Sequence, residues 1–125
     1  MSDPVSQKRL LVVDDDMSYR MLLAKFLRDG GFIVDLAANG EQAMQRMQKE
    51  SYDAALVDNL MPGLSGLDLV KWMQTNYASI PTIILTGYSS NEIKENFSNL
   101  QVAAYISKKD FEISTLVSTI QSLLK

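Results

Sequence analysis

Short apolar runs alternate along the chain with stretches whose apolar residues recur every three or four positions. These are the signatures of buried strands and amphipathic helices. Arg9-Leu10-Leu11-Val12-Val13 reads as strand 1 and stops at Asp14-Asp15-Asp16. Tyr19, Leu22, Leu23, Phe26 and Leu27 then define one face of helix 1, which Gly30-Gly31 closes, as glycine does at helix C-termini. Phe32 to Leu36 is strand 2. Asn39 is placed to cap helix 2, which turns Ala43, Met44 and Met47 inward. Tyr52-Asp53-Ala54-Ala55-Leu56-Val57 leads strand 3 to Asp58, and Pro62-Gly63 marks a turn soon after. Ser65-x-x-Asp68 offers a capping pattern for helix 3, with Leu67, Val70 and Met73 for the core. Pro81 to Leu85 is strand 4, stopping at Thr86-Gly87. Ser89-x-x-Glu92 would cap helix 4, whose apolar pattern is the weakest. Val102 to Ile106 is strand 5, stopping at Ser107-Lys108. Ile113, Leu116, Val117, Ile120, Leu123 and Leu124 give helix 5 a long apolar stripe.

Strands alternating with helices at this spacing predict βαβ units and a parallel sheet. The expected fold class is α/β: a doubly wound five-stranded parallel sheet, order 2-1-3-4-5, flavodoxin-like (βα)5 with helices on both faces. No linker, repeat or low-complexity tract interrupts it, so one domain over 9–125 is expected behind a polar tail over 1–8.

Composition narrows the chemistry. The 125 residues suffice for one domain of ordinary size. With 12 Lys and Arg against 15 Asp and Glu and no basic block, direct nucleic acid binding is not expected. There is no Cys and no His, which removes disulfides, thiolate sites, a Ser-His-Asp triad and His-ligated zinc together. No apolar run approaches the roughly 18 residues of a membrane span, and the first eight residues carry no secretory apolar stretch. The expectation is a cytoplasmic chain with no membrane partner.

The polar residues then fall at telling places. Asp14 and Asp15 follow strand 1, Asp58 ends strand 3, Thr86 ends strand 4 and Lys108 follows strand 5. In a parallel sheet of this order these ends share one edge. Taken singly each residue has an ordinary reading, as a helix cap, an Asx turn, a strand-end threonine or a solvated lysine. Jointly, three carboxylates, a hydroxyl and an ammonium converge, and the strand end left out, Leu36, belongs to the edge strand. Hard oxygen ligands with room for water suit Mg²⁺. A carboxylate such as Asp58 can attack phosphorus to form an acyl phosphate, and the transferred group needs positive charge and donors on its oxygens. Mg²⁺, Lys108 and Thr86 would supply these, and Gly87 would leave space beside the incoming group.

On these residues the chain resembles the receiver domain of two-component response regulators, over Leu10 to Leu124. Leu11-Val12-Val13-Asp14-Asp15-Asp16 with Arg20, Asp58-x-x-Met61-Pro62-Gly63-x-x-Gly66, Thr86-Gly87 and Tyr105-x-x-Lys108 carry the likeness. The resemblance implies Asp58 as phosphoacceptor and Asp15 as a direct Mg²⁺ ligand. It implies that Asp14 acts mostly through water and that the Leu60 backbone carbonyl is a further ligand. Thr86 and Lys108 would bind the phosphoryl group, and Thr86 and Tyr105 would form a switch pair that remodels the face of helix 4, strand 5 and helix 5. Asp16 needs no role beyond starting helix 1. The phosphodonor would be a histidine kinase, a histidine phosphotransfer protein or a small phosphodonor, since this chain has no histidine of its own. The chain would not be an enzyme beyond catalysing its own phosphorylation and dephosphorylation.

Three positions depart from or vary within the family's pattern. Lys109 stands where the family usually has proline, often cis; a non-proline cis bond costs about 3 kcal/mol, so a trans bond or an altered loop is expected. Leu60 and Tyr88, two residues beyond Asp58 and Thr86, would exclude or misplace an attacking water, so slow autodephosphorylation is expected. The alternative function is a pseudo-receiver acting as a scaffold, which the intact set of five site residues disfavours. A flavin-binding protein of this fold is disfavoured by the acidic triplet after strand 1, and a P-loop hydrolase by the lack of Gly-x-x-x-x-Gly-Lys-Ser/Thr. A stand-alone regulator, a phosphorelay intermediate and a receiver cut from a longer regulator or hybrid kinase are all open, and the early start of strand 1 favours an N-terminal or stand-alone receiver. Without arginines on helix 5, a monomer is expected before phosphorylation.

Overall fold

The computed structural model describes residues 7–59, 63, 65–87, 97, 100–108 and 113–124. β1 (Arg9–Val13), β2 (Ile33–Ala37), β3 (Ala54–Asp58), β4 (Thr82–Thr86) and β5 (Ala104–Ser107) form one parallel sheet in the order β2-β1-β3-β4-β5. Four helices stand among the described residues: α1 (Met17–Asp29), α2 (Gly40–Lys49), α3 (Gly66–Asn76) and α4 (Ile113–Leu123). α4 is the fifth of the predicted helices. The predicted helix 4 with its Ser89-x-x-Glu92 cap lies outside the described residues, as do Leu60, Tyr88 and Lys109.

Strand side chains alternate between two cores. Leu11, Val13, Ala55, Val57 and Ile84 face α2 and α3, meeting Ala43, Met47, Leu69, Val70 and Met73. Leu10, Val12, Ala54, Leu56, Ile83 and Leu85 face α1 and α4, meeting Leu23, Leu27, Leu116 and Ile120. The sheet is therefore covered on both sides, which is why its central strands read as unbroken apolar runs. Each large aliphatic side chain buried this way contributes about 1.5–3 kcal/mol, so β1, β3 and β4 hold the fold.

Side-chain caps start three helices. The carboxylate of Asp16 accepts from the Tyr19 N–H at 3.2 Å, Asn39 Oδ1 from the Gln42 N–H at 2.8 Å, and Ser65 Oγ from the Asp68 N–H at 3.1 Å. Gly31, at φ 98°, follows α1 in the left-handed region that only glycine adopts cheaply. Two expectations are corrected. Leu22 is 44% exposed, and Ala24 takes its place in the core beside Leu23 and Leu27. On α3 it is Leu69 that is fully buried, whereas Leu67 packs only at the margin. A helix turns 100° per residue, so a leucine one or two positions from a buried residue is carried off the buried face.

Candidate functional site

Register assembles the site. Val13 pairs with Val57, Asp58 with Leu85, and Thr86 with Ser107. The residues leaving β1, β3, β4 and β5 therefore stand level at one edge. Three backbone bonds continue the ladders beyond the strands. Asp14 N–H donates to Ala37 O at 3.1 Å, Asn59 N–H to Leu85 O at 3.1 Å, and Lys108 N–H to Thr86 O at 2.7 Å. They fix the directions in which Asp14, Asp58 and Lys108 leave the sheet.

The acidic triplet divides into three environments. Asp14 is fully buried; its Oδ1 accepts from the Asp16 N–H at 2.9 Å, and Arg20 Nη1 donates to its backbone carbonyl at 2.6 Å. Asp15 is exposed at the mouth. Asp16 caps α1, in line with its ordinary reading. Carboxylate oxygens of Asp14, Asp15 and Asp58 all lie within 4.8 Å of one another. Lys108 Nζ joins them, 2.8 Å from Asp14 Oδ2 and 3.3 Å from Asp58 Oδ2. Burial alone would lower the Lys108 pKa. Hydrogen bonding to Asp14 and the charges of Asp58 and Asp14 outweigh it and raise the value, so the ammonium stays charged at neutral pH.

The formal charge of the cluster is −3 from the carboxylates and +1 from Lys108, a net −2, which one divalent cation balances. An all-oxygen carboxylate set, partly open to water through Asp15, fits such an ion. Thr86 is fully buried at the end of β4. Tyr105 shares its face of the sheet, since Ile84 pairs with Tyr105 and Thr86 with Ser107. The Tyr105 ring packs half-buried against the α3-side core, edge-on to Phe97 with centroids 6.3 Å apart, and burial pushes its hydroxyl above the ordinary pKa. The structure thus brings together Asp14, Asp15, Asp58 and Lys108, and places Thr86 and Tyr105 on neighbouring strands beside them. Leu60, expected to offer its carbonyl, lies outside the described residues.

Two neighbours of the site make contacts there that the sequence did not reveal. Arg20, part of the motif after strand 1, anchors the Asp14 backbone from the fourth residue of α1, and its spacing carried no signal of that contact. Tyr19, read as part of an apolar stripe, has its ring centroid 4.7 Å from Lys108 Nζ. Burial, then the charges of Asp14 and Asp58, push its hydroxyl far above the usual tyrosine range, so it is neutral.

Known proteins carry the same architecture. A receiver domain protein described as CheY-like, from Methanospirillum hungatei, superposes with a TM-score of 0.88 at 28% identity, covering 95% of this chain and 94% of that one. TrrA of Thermotoga maritima, solved in complex with Mg(2+)-BeF, superposes with a TM-score of 0.84 at 32% identity, covering 94% and 100%. Response regulator MprA of Mycobacterium leprae is 31% identical over 119 residues, and the chain spans 94% of itself but 51% of MprA. Transcriptional regulatory protein ZraR of Klebsiella oxytoca is 40% identical over 84 residues, 67% of this chain and 19% of ZraR. The chain thus spans about half the length, or less, of these curated relatives. The sequence model of the response regulator receiver domain matches residues 10–121, which hold the acidic cluster, Thr86, Tyr105 and Lys108 alike. An architecture, a charge cluster and a family match that coincide over nearly the whole chain lead to one conclusion: this protein belongs to the response regulator receiver domain family.

Proposed function

We propose that Asp58 is the phosphoacceptor of this receiver domain and that its phosphorylation switches a protein-binding face. The observation that carries the reading is the convergence on Asp58 of Asp14, Asp15 and the Lys108 ammonium within hydrogen-bonding or ion-binding range. An Asp58 carboxylate oxygen attacks phosphorus of a partner's phosphohistidine. The P–O bond forms as the P–N bond breaks, and the imidazole leaves with the electron pair. Asp15 and Asp58 would hold Mg²⁺ directly with the Leu60 carbonyl, and Asp14 would do so through water; TrrA's complex with Mg(2+)-BeF supports that choice of ion. When bound, Mg²⁺ supplies positive charge that offsets repulsion between carboxylates and phosphoryl oxygens. Lys108 turns from Asp14 to a phosphoryl oxygen, and the Thr86 hydroxyl donates to another. The Thr86 movement leaves room toward which the Tyr105 ring shifts, and this remodels the face made by the predicted helix 4, β5 and α4.

The phosphodonor is a histidine kinase or a histidine phosphotransfer protein, and the output partner docks on the remodelled face. The domain occupies 9–125 behind the 1–8 tail, acts in the cytoplasm, and is an enzyme only toward its own phosphate. Among the described residues no helix is long and apolar enough to cross a membrane. Intact-mass spectrometry after incubation with acetyl phosphate and Mg²⁺ tests the reading. A gain of one phosphoryl group that requires Mg²⁺ and vanishes in Asp58→Asn is expected. If neither acetyl phosphate nor a phosphohistidine donor labels the chain, Asp58 is not a phosphoacceptor and the scaffold reading replaces this one.

A further inference from the structure

The Lys108 ammonium ends a flexible four-carbon stem, and such a stem does not by itself hold its charge in one place. Two of its contacts are carboxylates, Asp14 at 2.8 Å and Asp58 at 3.3 Å. The third is the face of Tyr19, 4.7 Å from ring centroid to Nζ. That ring is itself well fixed. α1 is anchored by Leu23, Ala24 and Leu27 in the core, the Tyr19 N–H is held by Asp16, and the Tyr19 hydroxyl is buried. We infer that Tyr19 is a positioning residue for Lys108, its ring holding the ammonium within reach of Asp58 and of a phosphoryl group placed on it.

The choice of an aromatic ring has a physical reason. A ring attracts a cation through its quadrupole but carries no net charge. A carboxylate at the same place would bind Lys108 and compete with phosphoryl oxygens for it. An aliphatic side chain would fill the volume and leave the ammonium free to swing into water. The ring restricts the ammonium without neutralising it, and this suits a lysine that must be handed from Asp14 to a phosphoryl oxygen. The inference rests on the phosphoacceptor reading of Asp58.

The test measures two affinities by isothermal titration calorimetry on the full chain: beryllofluoride at saturating Mg²⁺, and Mg²⁺ alone. Tyr19→Leu keeps an apolar side chain and removes the ring; Tyr19→Phe keeps the ring and removes the hydroxyl. Tyr19→Leu is expected to weaken beryllofluoride binding about three- to tenfold. It is expected not to weaken Mg²⁺ alone, because a looser Lys108 competes less for Asp14 and Asp58. Tyr19→Phe is expected to stay within about twofold of wild type in both measurements. Unchanged beryllofluoride affinity in Tyr19→Leu overturns the inference. So does a parallel loss of Mg²⁺ affinity, which marks a general disturbance of the pocket, or a Tyr19→Phe variant as weak as Tyr19→Leu, which assigns the effect to the hydroxyl. A wild type that binds Mg²⁺ but not beryllofluoride refutes the phosphoacceptor reading itself, and this inference with it.

Discussion

Gly66 is the first residue of α3, and it packs directly on the strand end that carries Asp58. A Cβ at this position would overlap the Asp58 carbonyl oxygen and lie 2.8 Å from the Asn59 α-carbon and 3.2 Å from its carbonyl carbon. These are backbone atoms at the end of a central strand, held by the Asp58 register with Leu85 and by the Asn59 N–H bond to Leu85 O. They do not rotate aside as a side-chain tip would. Ordinary van der Waals separation begins at 3.4 Å, so relieving the clash with the Asn59 α-carbon alone needs about 0.6 Å of movement (3.4 minus 2.8) between α3 and β3. Overpacking that forces such backbone shifts costs about 1–3 kcal/mol. A better helix former than glycine returns at most about 1 kcal/mol, and less in the first turn. Gly66→Ala is therefore expected to lose about 1–2 kcal/mol of stability, read from urea unfolding followed by circular dichroism. Gly87 is the control: among the described residues nothing lies within 4 Å of a Cβ there, so Gly87→Ala is expected to stay within about 0.5 kcal/mol of wild type. If that open space receives the phosphoryl group, Gly87→Ala nonetheless slows labelling of Asp58. A Gly66→Ala protein as stable as wild type, or a Gly87→Ala protein equally destabilised, refutes the steric reasoning.

Lys108→Met leaves two buried carboxylates without their ammonium and is expected to cost about 2–4 kcal/mol, below the full buried-pair penalty because Lys108 keeps 21% of its side chain in water. Thermal melts with and without millimolar Mg²⁺ check it, and a larger Mg²⁺-induced rise in Tm than in wild type is expected. The Tyr52 hydroxyl donates to Asp35 Oδ2 at 2.7 Å, and burial, that bond and the Asp35 charge raise its pKa in the folded state. The stability it contributes is thus present below the ordinary tyrosine pKa of about 10 and is lost as pH rises above it, so Tyr52→Phe should lower stability at pH 8 and flatten the decline between pH 10 and 11 in urea midpoints. Met17 and Met21 are 66% and 54% exposed on the first turns of α1, the helix that begins just after Asp14 and Asp15, and a phosphohistidine protein acting on Asp58 as proposed is expected to dock over them. Met17→Glu/Met21→Glu should slow transfer from a phosphohistidine protein at least about tenfold while labelling by acetyl phosphate holds, and equal slowing of both would place the defect in the pocket. Leu60→Asn/Tyr88→Glu should accelerate loss of phosphate from the phosphorylated protein; matching rates would sink the water-exclusion argument.

Almost all of the fold was legible because the sheet is buried on both faces. Val12, Val57 and Ile84 stand in runs with no polar interruption, and Asp14, Asp58 and Thr86 end those runs abruptly. The caps were legible too, since Asn39 and Ser65 precede their helices at the spacing that side-chain capping requires. What failed was local azimuth. Leu22 and Leu67 are as apolar as Leu23 and Leu69, and only the packing of each helix on the sheet decides which of two nearby leucines is inside.

The site divides along the same line between what the backbone fixes and what side chains decide. Strand ends set the positions of Asp14, Asp58, Thr86 and Lys108, and a parallel ladder carries that information in register alone. Composition and spacing alone do not tell three consecutive aspartates apart; only the family resemblance gave them different expected roles. Asp14 becomes the buried one because its amide still pairs with Ala37, Asp15 turns to water, and Asp16 is taken by the first turn of α1. Tyr19 is harder still, because its ring belongs at once to a helical stripe and to the lysine arriving from β5, 89 residues away along the chain (108 minus 19). An apolar stripe on α1 is needed whatever the site does, so composition gives no reason to choose tyrosine there over leucine. The ring's electrostatics supply the reason. It stabilises an ammonium in the pocket without adding a fourth anion to the three carboxylates that already repel one another.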